Sequence, residues 1–293
     1  MNKTFILIGP GNVGLSVASL LKARGYHCLE VVSRTSDGWD EVKSWIGDDI
    51  NIHLWEEWTP IGSDLVLVAT PDDTLTEIGA QLVQKYHDTQ SRAATFIHFS
   101  GIQSSEEFAS LQHLGFQAAS LHPLQSVPSV ESGLTGLLGC SWAFEGDSHV
   151  QCANIVQTLD GEMIQLTAEN KIPYHLAAVF ASNLLTALEA MAIDIAEAAE
   201  IPEDKFLDLF APLIRRSLEN ALKQSPAKAI TGPLKRADTT TIKKHLAWLE
   251  QADHKYTTVY SELSHYLIEV LFAEDTLSLQ EVDELTQLLD ESA

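Results

Sequence analysis

Three glycines stand at the spacing Gly9-Pro10-Gly11-Asn12-Val13-Gly14, directly behind the apolar run Phe5-Ile6-Leu7-Ile8 and directly ahead of Leu15-Ser16-Val17. The chemistry this spacing serves is the grip of a diphosphate. The first glycine permits a tight turn, the second lets the backbone approach phosphate oxygens, and the third lets helix and strand pack closely. Unpaired N–H groups at the start of the following helix, aided by its dipole, then bind the anion. The pattern gains its meaning from its place between a predicted strand and a predicted helix. Gly9, Gly11, Asn12, Val13 and Gly14 are therefore candidate ligands of a dinucleotide.

The residues closing the second predicted strand bear on which dinucleotide. An acidic residue there would accept from a ribose 2′-hydroxyl and repel a 2′-phosphate. Here Leu29-Glu30-Val31-Val32 runs into Ser33-Arg34-Thr35, and hydroxyls beside a guanidinium suit a phosphate dianion. NADP is the favoured cofactor. NAD stays open, because Glu30 would face the ribose if the strand ended earlier. Thr70 and Pro71, at the exit of a later strand, are expected to offer backbone contacts to the same ligand, since ligands of open α/β folds bind at the carboxyl edge of the sheet.

The elements that must position these residues can be read from the patterning. Runs of β-formers at Phe5 to Ile8, Cys28 to Val32, Asp64 to Ala69, Ala94 to Phe99, Ala118 to Leu121 and Trp142 to Phe144 alternate with helix-like stretches, the mark of βαβ units in a parallel sheet. Beyond Thr167 apolar residues recur at three- and four-residue spacing and the second half reads all-helical. The expected fold is α/β: an N-terminal Rossmann domain with a doubly wound parallel sheet over 1–167, then an all-α domain over 168–293 for substrate and dimerisation. Tyr174 to Ala199, apolar nearly all round, is expected to be a central helix covered by others. Further helices are expected at Lys205 to Lys223, with Pro212 a kink or break, and at Thr240 to Ala252, Lys255 to Phe272 and Leu279 to Leu289. The last of these would dock Leu279, Val282, Leu285 and Leu289 on its own domain or on a second subunit.

The 293 residues carry 18 Lys+Arg against 41 Asp+Glu, a formal charge of -23. Such a field repels phosphate backbones and anionic lipid surfaces, so nucleic acid and membrane are not expected partners, and any phosphate site must be local. The three cysteines, Cys28, Cys140 and Cys152, are odd in number and far apart. No metal is expected from their spacing, and a reducing cytoplasm fits them best. Neither a secretion signal nor an apolar stretch of about 18 or more residues is read from the chain.

Four further stretches join the glycine loop: IHFSG at 97–101, ASLHPLQS at 119–126, YHLAAVFASN at 174–183 and ITGPLKRADTTTIKKHL at 230–246. With GPGNVG they resemble a bacterial family of Rossmann-like proteins with a helical C-terminal domain of unknown function. That family looks like a branch of the 6-phosphogluconate dehydrogenase, ketopantoate reductase and pyrroline-carboxylate reductase superfamily. The resemblance covers nearly the whole chain and implies an oxidoreductase. The chain departs from the family's GPxxRGD pattern in carrying Ala237, between Arg236 and Asp238, where glycine is common; a lost glycine restricts the turn there.

Reducing a carbonyl with a nicotinamide requires hydride transfer and a proton or strong hydrogen bond for the oxygen. In the superfamily a lysine near the start of the first interdomain helix does that work, with an asparagine nearby, and Lys171, His175 and Asn183 occupy comparable territory. Offsets of four and twelve put the three near one face of a helix that already includes Lys171. Ser100, Gly101 and His122 lie just past strand ends and are candidate substrate contacts. Arg236 could clamp a carboxylate, with Asp238 beside it. The resulting expectation is an NADP-dependent reductase of a small 2-oxo acid or related carbonyl compound, with ketopantoate as one candidate. An imino-acid reductase and a non-catalytic NADPH-binding sensor are the alternatives. Relatives in the superfamily also imply a homodimer through the helical domain.

Overall fold

Short runs of β-branched and aromatic residues assemble into one eight-stranded sheet. A computed structural model describes residues 3–87 and 95–291, so Ala94, at the start of one expected strand, lies outside the described residues. The strands are β1 (Thr4–Ile8), β2 (His27–Ser33), β3 (Asn51–Leu54), β4 (Leu65–Val68), β5 (Thr95–His98), β6 (Gln117–Pro123), β7 (Ser141–Gly146) and β8 (Glu162–Gln165). Their order is β3-β2-β1-β4-β5-β6-β7-β8. Every neighbouring pair is parallel except β6 and β7, which pair antiparallel. The helices accompanying the sheet are α1 (Asn12–Ala23), α2 (Trp39–Ile46), α3 (Leu75–His87), α4 (Ala109–His113), α5 (Val130–Gly136), α6 (His149–Thr158) and α7 (Lys171–Ala181).

Successive side chains of a strand point to opposite faces, so a sheet covered on both sides needs apolar residues throughout. In β1, Phe5 and Leu7 join a core with Leu15, Ala18 and Leu21 of α1. Ile6 and Ile8 join another with Leu75, Leu82 and Tyr86 of α3. Two strands escape the sequence reading. β3 (Asn51-Ile52-His53-Leu54) and β8 (Glu162-Met163-Ile164-Gln165) are the edges of the sheet, carry polar residues and are only partly covered, so neither shows the continuous apolar run of the central strands.

The chain divides into two compact units, Met1–Leu185 and Thr186–Ala293. The change in sequence character falls earlier, at 167/168, because strands stop there; α7 still belongs to the first unit, tied to the sheet by the buried Lys171. The remaining helices are α8 (Asn183–Glu197), α9 (Glu203–Gln224), α10 (Pro226–Ala229), α11 (Thr239–Ala252), α12 (His254–Ala273) and α13 (Leu279–Asp290). In the second unit Ile242 and Leu246 of α11, Ile268 and Leu271 of α12, and Leu285 and Leu289 of α13 form a core. Val282 packs against it while Leu279 stays exposed. α9 runs through Pro212 without a break.

Three expectations for the apolar stretch after 167 require correction. The helix expected over Tyr174 to Ala199 is two, α7 and α8, parted at Ser182, whose backbone (φ -132, ψ -77) leaves the helical region. Apolar side chains of α7 that a covered helix would bury are open: Ile172 is 61% exposed and Phe180 62%. Ala168–Glu197 is also long and apolar enough, by length and composition alone, to cross a membrane. Interspersed polar residues hide this in a count of contiguous apolar residues.

Candidate active site

The glycine turn sits at the carboxyl end of β1. Gly9 adopts φ +84, and a Cβ there would lie 2.8 Å from the Ala69 carbonyl oxygen, so only glycine takes this turn without strain. The first intrahelical bond of α1 runs from the Leu15 N–H to the Gly11 carbonyl at 2.8 Å. The N–H groups of Asn12, Val13 and Gly14 are thus left over at the helix mouth, and no side chain caps them. A Cβ on Gly11 would meet nothing within 4 Å, whereas one on Gly14 would lie 2.7 Å from the Gly9 carbonyl oxygen and 2.8 Å from the Ala69 Cβ. Gly11 therefore opens toward space and Gly14 closes the helix against the strand.

That space is a cavity of about 860 Å³ lined by Gly9 to Val13, Val32 to Thr35, Trp55, Glu56, Ala69 to Pro71 and the first turns of α3. The Thr70 hydroxyl is buried there without a hydrogen-bond partner. Arg34 and Thr35 are exposed along the wall. Ser33 also lines it, but its hydroxyl donates to the Thr35 carbonyl at 2.7 Å and accepts from the Trp39 indole at 2.9 Å, so it shapes the loop. The Asn12 amide side chain is likewise committed, donating to the Pro128 carbonyl at 2.8 Å, which leaves its backbone for a ligand. Glu30 does not line the cavity; its buried carboxylate accepts from the Trp58 indole at 2.8 Å and faces His53 Nε2 at 3.2 Å. The free amides, the orphaned hydroxyl and the lone guanidinium fit a phosphorylated dinucleotide.

A second polar cluster gathers where β5, β6 and α7 meet. Lys171 is fully buried and its Nζ donates to the Ser120 hydroxyl at 2.6 Å and the Ser100 carbonyl at 3.1 Å. The Ser120 hydroxyl donates to the same carbonyl at 3.0 Å. Burial lowers the Lys171 ammonium to about 8. His98 donates from Nε2 to the Ser104 carbonyl at 3.0 Å, and its Nδ1 accepts the Ser100 N–H at 3.3 Å; that pairing requires a neutral ring, consistent with burial pushing it down to about 3.

Nearer the surface, His122 Nδ1 bonds the Tyr174 hydroxyl at 3.0 Å, and its ring lies 5.8 Å from that of His175, edge to face. Burial lowers His122 to about 4, and the neighbouring His175 and Lys171 act in the same direction. Burial raises the Tyr174 phenol to about 12. Both imidazoles converge on Gly101: a Cβ there would come within 3.0 Å of His122 Nε2 and closer still to His175 Nδ1. His175 Nδ1 is buried and has no partner.

The structure thus brings Ser100, Gly101, His122, Lys171 and His175 together and adds Ser120, Tyr174 and His98. Ser120 was legible in principle, because it lies two residues from His122 on β6 and shares its face. Tyr174 follows Lys171 by three, one helical turn on. Asn183 is exposed at the start of α8, and the break at Ser182 removes the regular offset that placed it with Lys171. Arg236 and Asp238 belong to the second unit. Arg236 is exposed; Asp238 caps α11, accepting from the Thr241 N–H at 3.1 Å and hydroxyl at 2.7 Å, bonds that hold its carboxyl below the usual range. Ala237 takes φ +48 in the left-handed region, the conformation for which glycine is favoured.

The strand order, the glycine turn behind β1 and the cavity at the carboxyl edge define the class: a Rossmann-type α/β fold followed by a helical unit. Residues 140–267 match the family described as domain of unknown function (DUF2520), so the C-terminal region carries that domain. Solved structures share the fold. A candidate NADP oxidoreductase from Bacteroides fragilis aligns with a TM-score of 0.71 at 22% identity, over 91% of this chain and 98% of its own. A protein from Thermotoga maritima aligns at 0.69 and 25% identity, over 92% and 99%. An imine reductase from Myxococcus stipitatus, in complex with NADP+, aligns at 0.59 and 17% identity, over 98% and 99%. None of the curated proteins matches the chain.

Proposed function

We propose that this protein is an NADP-dependent oxidoreductase that reduces a small 2-oxo acid or related carbonyl compound. The observation that carries the reading is the cavity at the end of β1, where three unpaired amides and an orphaned hydroxyl share a wall with Arg34. Asn12, Val13 and Gly14 would hold the diphosphate by their N–H groups, and Arg34 and Thr35 the 2′-phosphate. Bound there, the nicotinamide supplies hydride to the carbonyl carbon. The chain supplies the rest: His175 and His122 are the candidate hydrogen-bond donors and proton source for the oxygen, Ser100 and Gly101 line its approach, and Lys171 is a positioning residue that locks Ser100 to β6. Asn183 is a further candidate contact of the substrate.

A second reading, reduction of an imine, draws on the neutral state of His122 at pH 7, which offers a substrate hydrogen bonds without a charge for a carboxylate. Titration calorimetry with NADPH and NADH tests the cofactor. Arg34→Ala should weaken NADPH about ten- to hundredfold, the size of one lost charge-assisted contact, and leave NADH unchanged. Consumption of NADPH with panels of 2-oxo acids and cyclic imines separates the two substrates, and reduction of neither would favour a sensor.

Exposed apolar residues in each unit, Ile172 and Phe180 of α7 and, separately, Leu209, Leu213 and Leu222 of α9, support a homodimer through the helical region as the partner. Light scattering should then give twice the 32.2 kDa chain mass, and Phe180→Glu should halve it. Flotation with lipid vesicles instead would assign the surface to a bilayer.

A further inference from the structure

The cavity extends past Arg34 to a wall that no glycine motif explains. Trp55 follows Leu54, whose register partner on β2 is Ser33, and its N–H donates to the Ser33 carbonyl at 2.8 Å. It therefore stands abreast of Arg34 at the carboxyl edge of the sheet, one strand further from β1. Its indole is held from three sides. The Nε1–H donates to Gln81 Oε1, and the Gln81 amide donates in turn to Glu77 at 2.8 Å. Lys85 Nζ lies 5.2 Å from the ring centroid and is itself fixed by a 2.8 Å bond to the Trp58 carbonyl. Trp58 packs at 5.8 Å with its ring tilted by 36°. Even so, Trp55 is only partly buried and lines the open cavity.

A large aromatic surface held rigid by its neighbours, with part of it open to the cavity, is a stacking platform, because its ordering cost is met before a ligand arrives. Its location says for what. In this fold the ribose carrying the 2′-phosphate lies at the end of the second strand, and the base on that ribose lies outward of it, on the side of β3. We propose that Trp55 is the platform for the adenine base, fixing the adenosine end of the dinucleotide while Arg34 reads its phosphate. This rests on the cofactor reading above.

Adenosine 2′,5′-bisphosphate, which lacks the nicotinamide half, isolates this contact. Calorimetry with wild type, Trp55→Leu and Trp55→Phe, each first shown to melt cooperatively, measures it. Trp55→Leu keeps apolar bulk without an aromatic face and should bind the probe about ten- to hundredfold more weakly, the usual worth of one base stacked on an aromatic ring. Trp55→Phe, which retains a ring, should stay within about fivefold of wild type, a fraction of that stacking contribution. Equal binding by wild type and Trp55→Leu overturns the platform and leaves the cofactor reading standing. Failure of wild type to bind either the probe or NADPH overturns both. Should Trp55→Leu not fold, equal weakening in Trp55→Phe and Trp55→Ala would show that the ring itself does not matter and would likewise overturn the proposal.

Discussion

Gly11→Ala and Gly14→Ala change the same atom count three residues apart, at the N-cap and in the first turn of α1, yet the structure assigns them opposite consequences. Gly11 has an extended backbone (φ -81, ψ -179) and its added methyl would meet nothing within 4 Å. The loss of helix-capping preference, about 0.5–1 kcal/mol, is offset by about 0.4–1 kcal/mol from restricting the unfolded chain. Stability should therefore change by less than about 1 kcal/mol, or a few degrees in Tm. Under the proposed cofactor reading the methyl would nevertheless stand where the backbone comes close to phosphate oxygens. Losing two charge-assisted bonds of about 1.5–3 kcal/mol each lowers NADPH affinity by at least about a hundredfold. At Gly14 the methyl instead meets the Gly9 carbonyl and the Ala69 Cβ. Overpacking against backbone costs about 1–3 kcal/mol, only partly offset by about 1 kcal/mol of helix propensity. Thermal melts and calorimetry on both variants decide the matter. A folded Gly11→Ala variant that binds NADPH like wild type would refute the assignment of this turn to the diphosphate, and an unchanged melt for Gly14→Ala would refute its role in packing.

Other outcomes follow from single residues. Ala237→Gly should stabilise the chain by up to about 1.5 kcal/mol in urea unfolding, because the left-handed conformation costs alanine about 1–2 kcal/mol against about 0.4–1 kcal/mol of unfolded-state entropy. Burial depresses Lys171 from 10.5 to about 8, so between these values the unfolded chain binds the extra proton. Wild-type stability should thus rise relative to Lys171→Met as pH increases from 8 to 10.5, and a parallel pair of curves would contradict the burial. His98 and His122 are depressed from 6.5 to about 3 and about 4; their contribution is complete above pH 6.5 and is lost as pH falls toward those values. His98→Asn should flatten the acid limb of the stability curve, which chemical denaturation at successive pH values would measure.

The glycine turn and the central strands were readable in the sequence because their physics is local. A turn that needs glycine, a helix start with spare amides and a strand ending in Ser33-Arg34 are each specified within a few neighbouring residues, and the central strands announce themselves by apolar runs that only a doubly covered sheet requires. Edge strands β3 and β8 sent no such signal, since a half-covered strand tolerates polar residues. The polar cluster was only partly legible for a different reason. Lys171 meets Ser100 and Ser120 across some fifty to seventy residues of chain, and the contact exists only because the start of α7 packs against β6 and the end of β5. Composition marks Lys171 as a charge; only the packing of β5, β6 and α7 around it makes it a buried lysine with two acceptors, pairs Tyr174 with His122 and turns two imidazoles onto Gly101. The same holds for Ser182, where one unhelical residue, invisible in an apolar stretch, separates Asn183 from the residues it was expected to join.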